Sequence, residues 1–479
     1  MKLVRLPTLT VLFLLLALPW PRRADAYSLL THEQLIDLTW ADSIVPLLLS
    51  RYPDLTAAQL EEARAYAYGG CVIQDIGYYP FGDMVYSNLT HYVRAGDFVV
   101  SLFRNAENAD ELAFAVGALS HYIGDTVGHP GATNVAVPVE FPKLRAKYGP
   151  VVNYAQARHQ HVQVEFGFDI DEVAHHRVAP LQFLRHVGLQ VSVRQLAVAY
   201  YQTYGITEDF TGTRKHRFNV SGYRFAVRSF IPRIAYAVTL LHRSHEPAEA
   251  VSPERVAMDK DVAAMAQENN WQAYRRKPGI GTYTLAGFIF IVPKIGPLKL
   301  VAIKDPTPAT EADYLHSVVL SVAALRQRLD SFTPPATTRS TTANAISKPT
   351  DAPLQSTQPL PISSTAGQTP HPVRDPQHPL PNRDLDTGYV VQPGGYLLTD
   401  STYADLLHRL TQTPQQPIPP GIKEDIEIYY ANPAAPITTK KDASAWAQVQ
   451  ADLVTLAGMP TSTAPEPYPS YGDAAEGTQ

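Results

Sequence analysis

Residues 119–130 read LSHYIGDTVGHP, and this stretch decides the fold. His121, Asp125 and His129 recur at every fourth position, so they lie on one face of a helix, and Pro130 is expected to end that helix. Two imidazoles and one carboxylate on a single face form a ligand set that suits zinc. A His–Asp pair at this spacing is also common on exposed helix surfaces, so the rest of the chain has to support the metal interpretation.

Further histidines and carboxylates occur on both sides of this stretch. His161 and Glu165 again lie four residues apart, while His32, Asp75 and His91 precede the central helix. Each has an ordinary alternative: a residue beside a helix cap, a loop carboxylate, a core histidine or a solvated helix pair. Burying so many ionisable groups in an apolar helical chain is costly unless they coordinate metal. Taken together, they predict a metal centre.

The first two thirds of the chain shows the periodicity of helices. Apolar residues recur at helical spacing, and strand-like alternation is scarce. Thr31 and Gln34 also have the spacing of a capping box at the start of a helix. The pattern predicts an all-α, multi-helix bundle. Its clearest segments are 57–72, 96–104, 109–127, 154–166 and 224–242.

Composition narrows the class of protein. The chain has 479 residues, of which 45% are hydrophobic, so it can bury a core. Its net charge of -5 argues against a nucleic-acid binder that works through a broad basic surface, and no stable nucleic-acid partner is expected. Cys71 is the only cysteine, so the chain forms no internal disulfide. The oligomeric state is not predicted.

Four parts of the chain differ in composition. Residues 1–26 have the basic start, apolar run and small-residue cleavage pattern of a signal peptide, which predicts a secreted or periplasmic protein. Residues 27–333 form the predicted catalytic domain. Residues 334–382 are predicted to be a flexible linker, because 11 prolines and no aromatic residue fall between 334 and 381. Residues 383–479 form an accessory region that is expected to be partly disordered.

Two further segments have a predicted structure. Residues 399–410 and 442–458 are expected to be short helices of the accessory region, which could dock on the main body. Residues 285–292 form the most apolar run after the signal. Periodicity leaves open whether this run is buried or lies at a membrane surface.

The order of these motifs resembles the zinc-dependent phospholipase C and S1/P1 nuclease superfamily. The likeness is closest to bacterial zinc-dependent phospholipase C and to the phospholipase domain of glycosylphosphatidylinositol-specific phospholipase D. It covers residues 27 to about 330 and implies an all-helical fold with three zinc ions per chain. The phrases that carry it are YSLLTHEQ (27–34), IQDIGYYPFGD (73–83), NLTHYVRAGDF (88–98) and LSHYIGDTVGHPGATN (119–134).

The resemblance implies a role for each candidate ligand. The amine and carbonyl of Tyr27 would bind one zinc together with His32, and Asp125 would bridge this zinc to the next. The second zinc would be held by Asp75, His91 and His121. His161 and Glu165 would hold the third, with His129 as the further ligand or His159 in its place. Asp75 would also be catalytic, orienting or deprotonating the attacking water.

The implied activity is hydrolysis of phospholipid head-group esters, of the phospholipase C type, by a water that zinc activates. One alternative is a single-strand nuclease on the same scaffold, in which Tyr78, Tyr79 or Tyr92 stacks a base. The same tyrosines could instead pack in the core or hold a quaternary ammonium head group. A second alternative is a non-catalytic binding protein whose metal is structural.

Overall fold

The computed structural model describes residues 29–78, 82–207, 210, 220, 222–242, 253–291, 303, 305–332 and 379–462. The all-α prediction is confirmed, because every regular element in these ranges is helical. Two isolated β-bridges occur there as well, between Arg383 and Val390 and between Ile418 and Thr461. The predicted signal peptide lies outside the described residues, as does nearly all of the predicted linker.

The helical body carries sixteen of the α-helices described here. They are α1 (Leu29–Thr39), α2 (Val45–Arg51), α3 (Ala57–Gly70), α4 (Met84–Tyr92), α5 (Ala95–Arg104), α6 (Ala109–Gly128), α7 (Asn134–Glu140), α8 (Pro142–Tyr148), α9 (Tyr154–Ala174), α10 (Leu181–Val187), α11 (Val193–Tyr204), α12 (Ile231–His242), α13 (Pro253–Glu268), α14 (Trp271–Tyr274), α15 (Ile280–Ile291) and α16 (Pro308–Phe332).

Short helical turns of other types join some of them. Trp40–Ile44, His129–Thr133 and Ala226–Phe230 are π-helical, and Ile73–Gly77 is a 3-10 turn. The C-terminal region adds α17 (Leu397–Thr411), α18 (Pro420–Tyr430), α19 (Ala443–Gly458) and the 3-10 turn Thr438–Lys441.

Helix α6 is the centre of the body, and it packs against α1, α3, α5 and α16. Small residues bring α3 and α6 unusually close. A Cβ atom on Gly117 would lie 2.2 Å from the carbonyl oxygen of Ala67, and one on Gly70 would lie 2.1 Å from that of Phe114. Any larger side chain would force the helices apart. The close approach buries the whole face of α6 that carries His121 and Asp125.

The end of α6 is partly as predicted. Its α-helical bonding stops at Gly128, two residues before Pro130. The chain then makes the π-helical turn His129–Thr133, where the Asn134 N–H donates to the carbonyl of His129, and continues into α7. Proline has no N–H to donate, and a wider turn keeps the chain helical past it. The sequence therefore predicted the break but not the continuation.

The start of α1 differs from the predicted capping box. The helix already begins at Leu29, so Thr31 is an interior residue. Two N–H groups in the first turn of α1 donate to the carboxylate of Asp169 on α9. Leu30 N–H donates at 2.9 Å and Thr31 N–H at 3.1 Å. Gln34 instead donates to Glu172. A distant carboxylate therefore caps this helix, in place of the local pair.

The C-terminal region packs on the helical body. The helices predicted at 399–410 and 442–458 correspond to α17 and α19, while α18 was not predicted. Helix α17 contacts α4, and α18 contacts α11. Leu380, just before this region, is buried. Residues 379–462 therefore contribute to the surroundings of α4, which carries His91.

Helix α15 contains most of the apolar run 285–292. Ala286 and Ile289 face inward, whereas Ile280, Phe290 and Ile291 are 85%, 71% and 81% exposed. The run is thus buried on one side and open on the other. Across the described residues, no helix combines the length and apolar character needed to cross a bilayer.

Candidate metal centre

Asp125 lies at the middle of the candidate site, on the buried face of α6. Its Oδ1 atom is 3.3 Å from Nε2 of His32, which α1 contributes. Its Oδ2 atom is 3.1 Å from Nε2 of His121, one turn earlier on α6, and 3.5 Å from Nε2 of His91 on α4. The carboxylate therefore faces two different groups of imidazoles with its two oxygens.

Asp75 completes the second of these groups. It lies in the 3-10 turn Ile73–Gly77, and its Oδ1 atom is 3.3 Å from Nε2 of His91 and 3.9 Å from Nε2 of His121. The two Nε2 atoms are 3.4 Å apart. The donor atoms of Asp75, His91 and His121 thus lie within 4.8 Å of one another, and all three side chains are buried.

These separations fit a bound metal ion. Ligand atoms about 2.0–2.1 Å from a tetrahedral zinc lie about 3.3–3.4 Å from one another. Both oxygens of Asp125 and Oδ1 of Asp75 are buried without a hydrogen bond in the described part of the chain. Such oxygens are costly to bury unless a cation compensates them. Two overlapping groups meet the spacing for an ion: His32, His121 and Asp125, and Asp75, His91 and His121.

Another cluster of ionisable side chains lies one turn further along. Nε2 of His129 is 3.5 Å from Oε1 of Glu165 and 3.9 Å from Oδ1 of Asp125. Nδ1 of His161 is 2.7 Å from the same Glu165 oxygen. His159, the alternative to His129, is exposed, because it lies on the other side of α9. The His129 N–H still donates to the carbonyl of Asp125, so α-helical spacing places His129 in this cluster.

Hydrogen bonds fix the orientation of several of these rings. Nδ1 of His121 donates to the carbonyl of Cys71 at 3.0 Å, and Nδ1 of His91 donates to that of Ser87 at 2.7 Å. A carbonyl can only accept, so each Nδ1 carries the proton and each Nε2 keeps its lone pair for a ligand. Nε2 of His161 pairs with Oδ1 of Asn134 at 2.9 Å, which leaves its Nδ1 facing Glu165.

The electrostatics differ between the candidate ligands: burial lowers the pKa of His91, but Asp125 and Asp75 outweigh this and raise it well above its usual range, whereas other members of the site favour metal binding. Burial would raise the pKa of Asp125, but the neighbouring His121 and His129 lower this pKa well below its usual range. Burial lowers the pKa of His32 and of His161, so both rings tend to stay neutral. Neutral imidazole and ionised carboxylate are the forms that bind zinc.

The remaining predicted site residues are the tyrosines. Tyr27 and Tyr79 lie outside the described residues. Tyr78 is buried, with its ring 5.4 Å from that of His91. Tyr92 is fully buried, and its hydroxyl donates to Oδ2 of Asp386 at 3.0 Å. Neither described tyrosine offers an open ring face to a ligand.

Sequence reasoning missed Asp386. This buried carboxylate comes from the C-terminal region, and its Oδ1 atom lies 3.8 Å from Nδ1 of His129. No motif marks it, since it lies in a Pro-rich part of the chain that is distant in sequence from the candidate ligands. Only its position in space identifies it.

Comparison with known proteins identifies a family. Residues 31–208 match the family model of zinc-dependent phospholipase C. No curated protein and no solved structure matches the chain. The eight candidate ligand side chains fall within the matched residues, and Asp386 falls outside them. The predicted relationship is confirmed: over residues 31–208, this chain carries a domain of the zinc-dependent phospholipase C family.

Proposed function

We propose that this protein is a secreted or periplasmic phosphodiesterase that hydrolyses phospholipid head-group esters, with three zinc ions per chain. The observation that supports it most directly is the position of Asp125, whose Oδ1 lies beside His32 and His129 and whose Oδ2 lies beside His91 and His121. A carboxylate in that position can bridge two metal ions. Phospholipid is the substrate class that the family implies.

We assign a separate role in the proposed reaction to the metal, to Asp75 and to the histidines. Bound zinc supplies Lewis acidity that makes water nucleophilic near neutral pH and offsets charge on a phosphoryl group. Asp75 directs Oδ1 at the imidazole pair, and its second oxygen is proposed to orient the attacking water and take its proton. The hydrogen-bonded rings of His91 and His121 hold fixed positions, so little reorganisation is needed during the reaction.

The surface of α15 supports a lipid substrate. Ile280, Phe290 and Ile291 project into solvent, and Arg276 and Lys277 precede them in an exposed segment. Apolar side chains beside basic ones suit the boundary of an anionic membrane. We propose that this helix contacts the phospholipid surface.

A single-strand nuclease is the second candidate function. It needs exposed aromatic faces on which bases can stack, together with a basic groove. Tyr78 and Tyr92 are buried, and the chain has a net charge of -5. These observations favour phospholipid over nucleic acid.

The proposal is tested on mature protein that begins at Tyr27. Treatment with a strong chelator is expected to abolish hydrolysis of phosphatidylcholine vesicles, and added zinc is expected to restore it. Single-stranded DNA is the comparison substrate. Activity that survives complete removal of metal would refute the mechanism. Preferred cleavage of DNA would favour the nuclease, and about three zinc ions per chain without turnover of either substrate would favour a non-catalytic binding protein.

Extra residues before Tyr27 are expected to lower activity by at least about tenfold. The proposed N-terminal ligand is a free amine, and an added Gly-Ser pair would turn this amine into an amide. The measurement compares initial rates and zinc content of the extended and mature proteins. The control carries the same pair after Gln479. Equal activity and zinc content in all three proteins would exclude Tyr27 as a ligand.

A further inference from the structure

The turn that contains Asp386 lies directly against the candidate metal site. Leu385 N–H donates to the carbonyl of His91 at 3.0 Å. Nδ2 of Asn134 donates to the carbonyl of Asp386 at 2.8 Å, and Oδ1 of the same amide pairs with His161. Two adjacent residues of the C-terminal region thus contact the surroundings of two candidate ligands.

The same turn fits closely on the end of α6. Gly388 has a φ of 71°, and a Cβ atom there would lie 2.5 Å from the carbonyl oxygen of Thr126. Only glycine readily accepts both the left-handed backbone and the lack of space. Because this contact fixes the height of the turn above α6, it also fixes the position of Asp386.

The carboxylate of Asp386 is held in one orientation. Its Oδ2 atom accepts hydrogen bonds from the hydroxyls of Tyr92 and Tyr396. Its Oδ1 atom then faces Nδ1 of His129 at 3.8 Å, an ion-pair distance. Nε2 of His129, across the ring, faces Glu165 and Asp125. One imidazole therefore lies between the C-terminal carboxylate and the candidate metal ligands.

We infer that Asp386 is a positioning residue of the metal centre, which fixes the ring and tautomer of His129 from the C-terminal region. A carboxylate beside Nδ1 favours the proton on that nitrogen and leaves the Nε2 lone pair for zinc. In His91 and His121, a hydrogen bond from Nδ1 to a backbone carbonyl likewise places the proton on Nδ1. His129 lies in the π-helical turn and takes its partner from residues far along the chain. The inference rests on the metal site of the proposed function, and it does not depend on the substrate.

The test is zinc binding by the full mature chain that carries Asp386→Asn, a substitution of almost equal size. The variant is expected to bind the zinc at the His129 site about 10–100-fold more weakly than the wild type. Chelator competition and metal analysis measure this affinity. The more conservative Asp386→Glu, which keeps a carboxylate at this position, is expected to bind zinc more tightly than Asp386→Asn.

Asp384→Asn is the matched control in the same turn. Asp384 is also buried, but its carboxylate accepts from Thr387 and contacts no candidate ligand in the described residues. Burial raises the pKa of both Asp384 and Asp386, so the two substitutions remove a carboxyl group from comparably buried positions. This variant is expected to keep the zinc affinity of the wild type.

Tyr396→Phe covers the case in which Asp386→Asn does not fold. It removes one hydrogen bond that orients Asp386, so a smaller loss of zinc affinity is expected. Unchanged zinc affinity in Asp386→Asn, an equal loss in Asp384→Asn, or higher activity in Asp386→Asn would each overturn the inference. Wild-type protein that binds zinc but cleaves no phospholipid would refute the proposed function and leave this inference standing.

Discussion

Asp125→Asn is expected to lower phosphodiesterase activity by at least about 10³-fold and to remove more than one zinc per chain. The carboxylate has Oδ1 3.3 Å from His32 and Oδ2 3.1 Å from His121. An amide keeps one oxygen but replaces the other with an NH₂ group, which cannot coordinate a metal. The variant also loses the negative charge that would offset bound cations. Metal analysis and rates on phosphatidylcholine vesicles measure both effects.

Thr126→Val, at the next position on α6, is the control for this variant. Among the described residues, the Thr126 hydroxyl donates to carbonyls of its own helix and to no candidate ligand, so its loss leaves the site intact. Near-normal rates and zinc content are expected. If Asp125→Asn kept its full zinc complement, Asp125 would not be a bridging ligand.

Arg177→Ala is expected to have the largest effect on stability, about 3–5 kcal/mol of unfolding free energy. The guanidinium is completely buried and lies 2.7 Å from Glu172, 2.9 Å from Asp259 and 3.0 Å from Glu311. Glu172 is itself fully buried on α9, and Gln34 of α1 also donates to it. Without Arg177, this carboxylate keeps its charge only at a high desolvation cost.

The loss of unfolding free energy in Arg177→Ala is expected to depend on pH. Burial already raises the pKa of Glu172 even though Arg177 opposes the shift, and removing Arg177 raises this pKa further. A carboxyl whose folded pKa is raised destabilises the protein as pH rises through that pKa. The deficit of Arg177→Ala is therefore expected to be larger at pH 8 than at pH 5, measured by urea unfolding at both values.

Arg409→Ala is the comparison. Arg409 pairs with Asp405 one turn earlier on α17, and both side chains are about half exposed. An exposed pair of this kind contributes only about 0.3–0.5 kcal/mol. A similar loss of stability in the two variants would show that the Arg177 network is solvated.

The helices and the family were accessible from sequence because both depend on local patterns. His121, Asp125 and His129 are four residues apart, which places them on one face of any helix, whatever surrounds it. The same is true of His161 and Glu165. The structure confirms the all-α class, and the family match confirms the relationship. The assignment of each side chain to a zinc ion remains a prediction, as do the domain boundaries and the cleaved signal.

Partners that are distant in sequence could not be read from spacing. Thr31 and Gln34 looked like a local cap, yet Asp169 of α9 caps α1. Whether His129 or His159 lies beside Glu165 depended on how α9 packs against the turn that begins at His129, which local spacing does not reveal.

The sequence by itself determined the helical class, the family and the residues suited to metal. Only the tertiary structure decided that their donor atoms converge around Asp125 and that Asp386 faces His129 from the C-terminal region. The physical reason is the range of the forces involved. Helical periodicity is set within a few residues, whereas the pairing of buried charges depends on which surfaces pack together once the chain has folded.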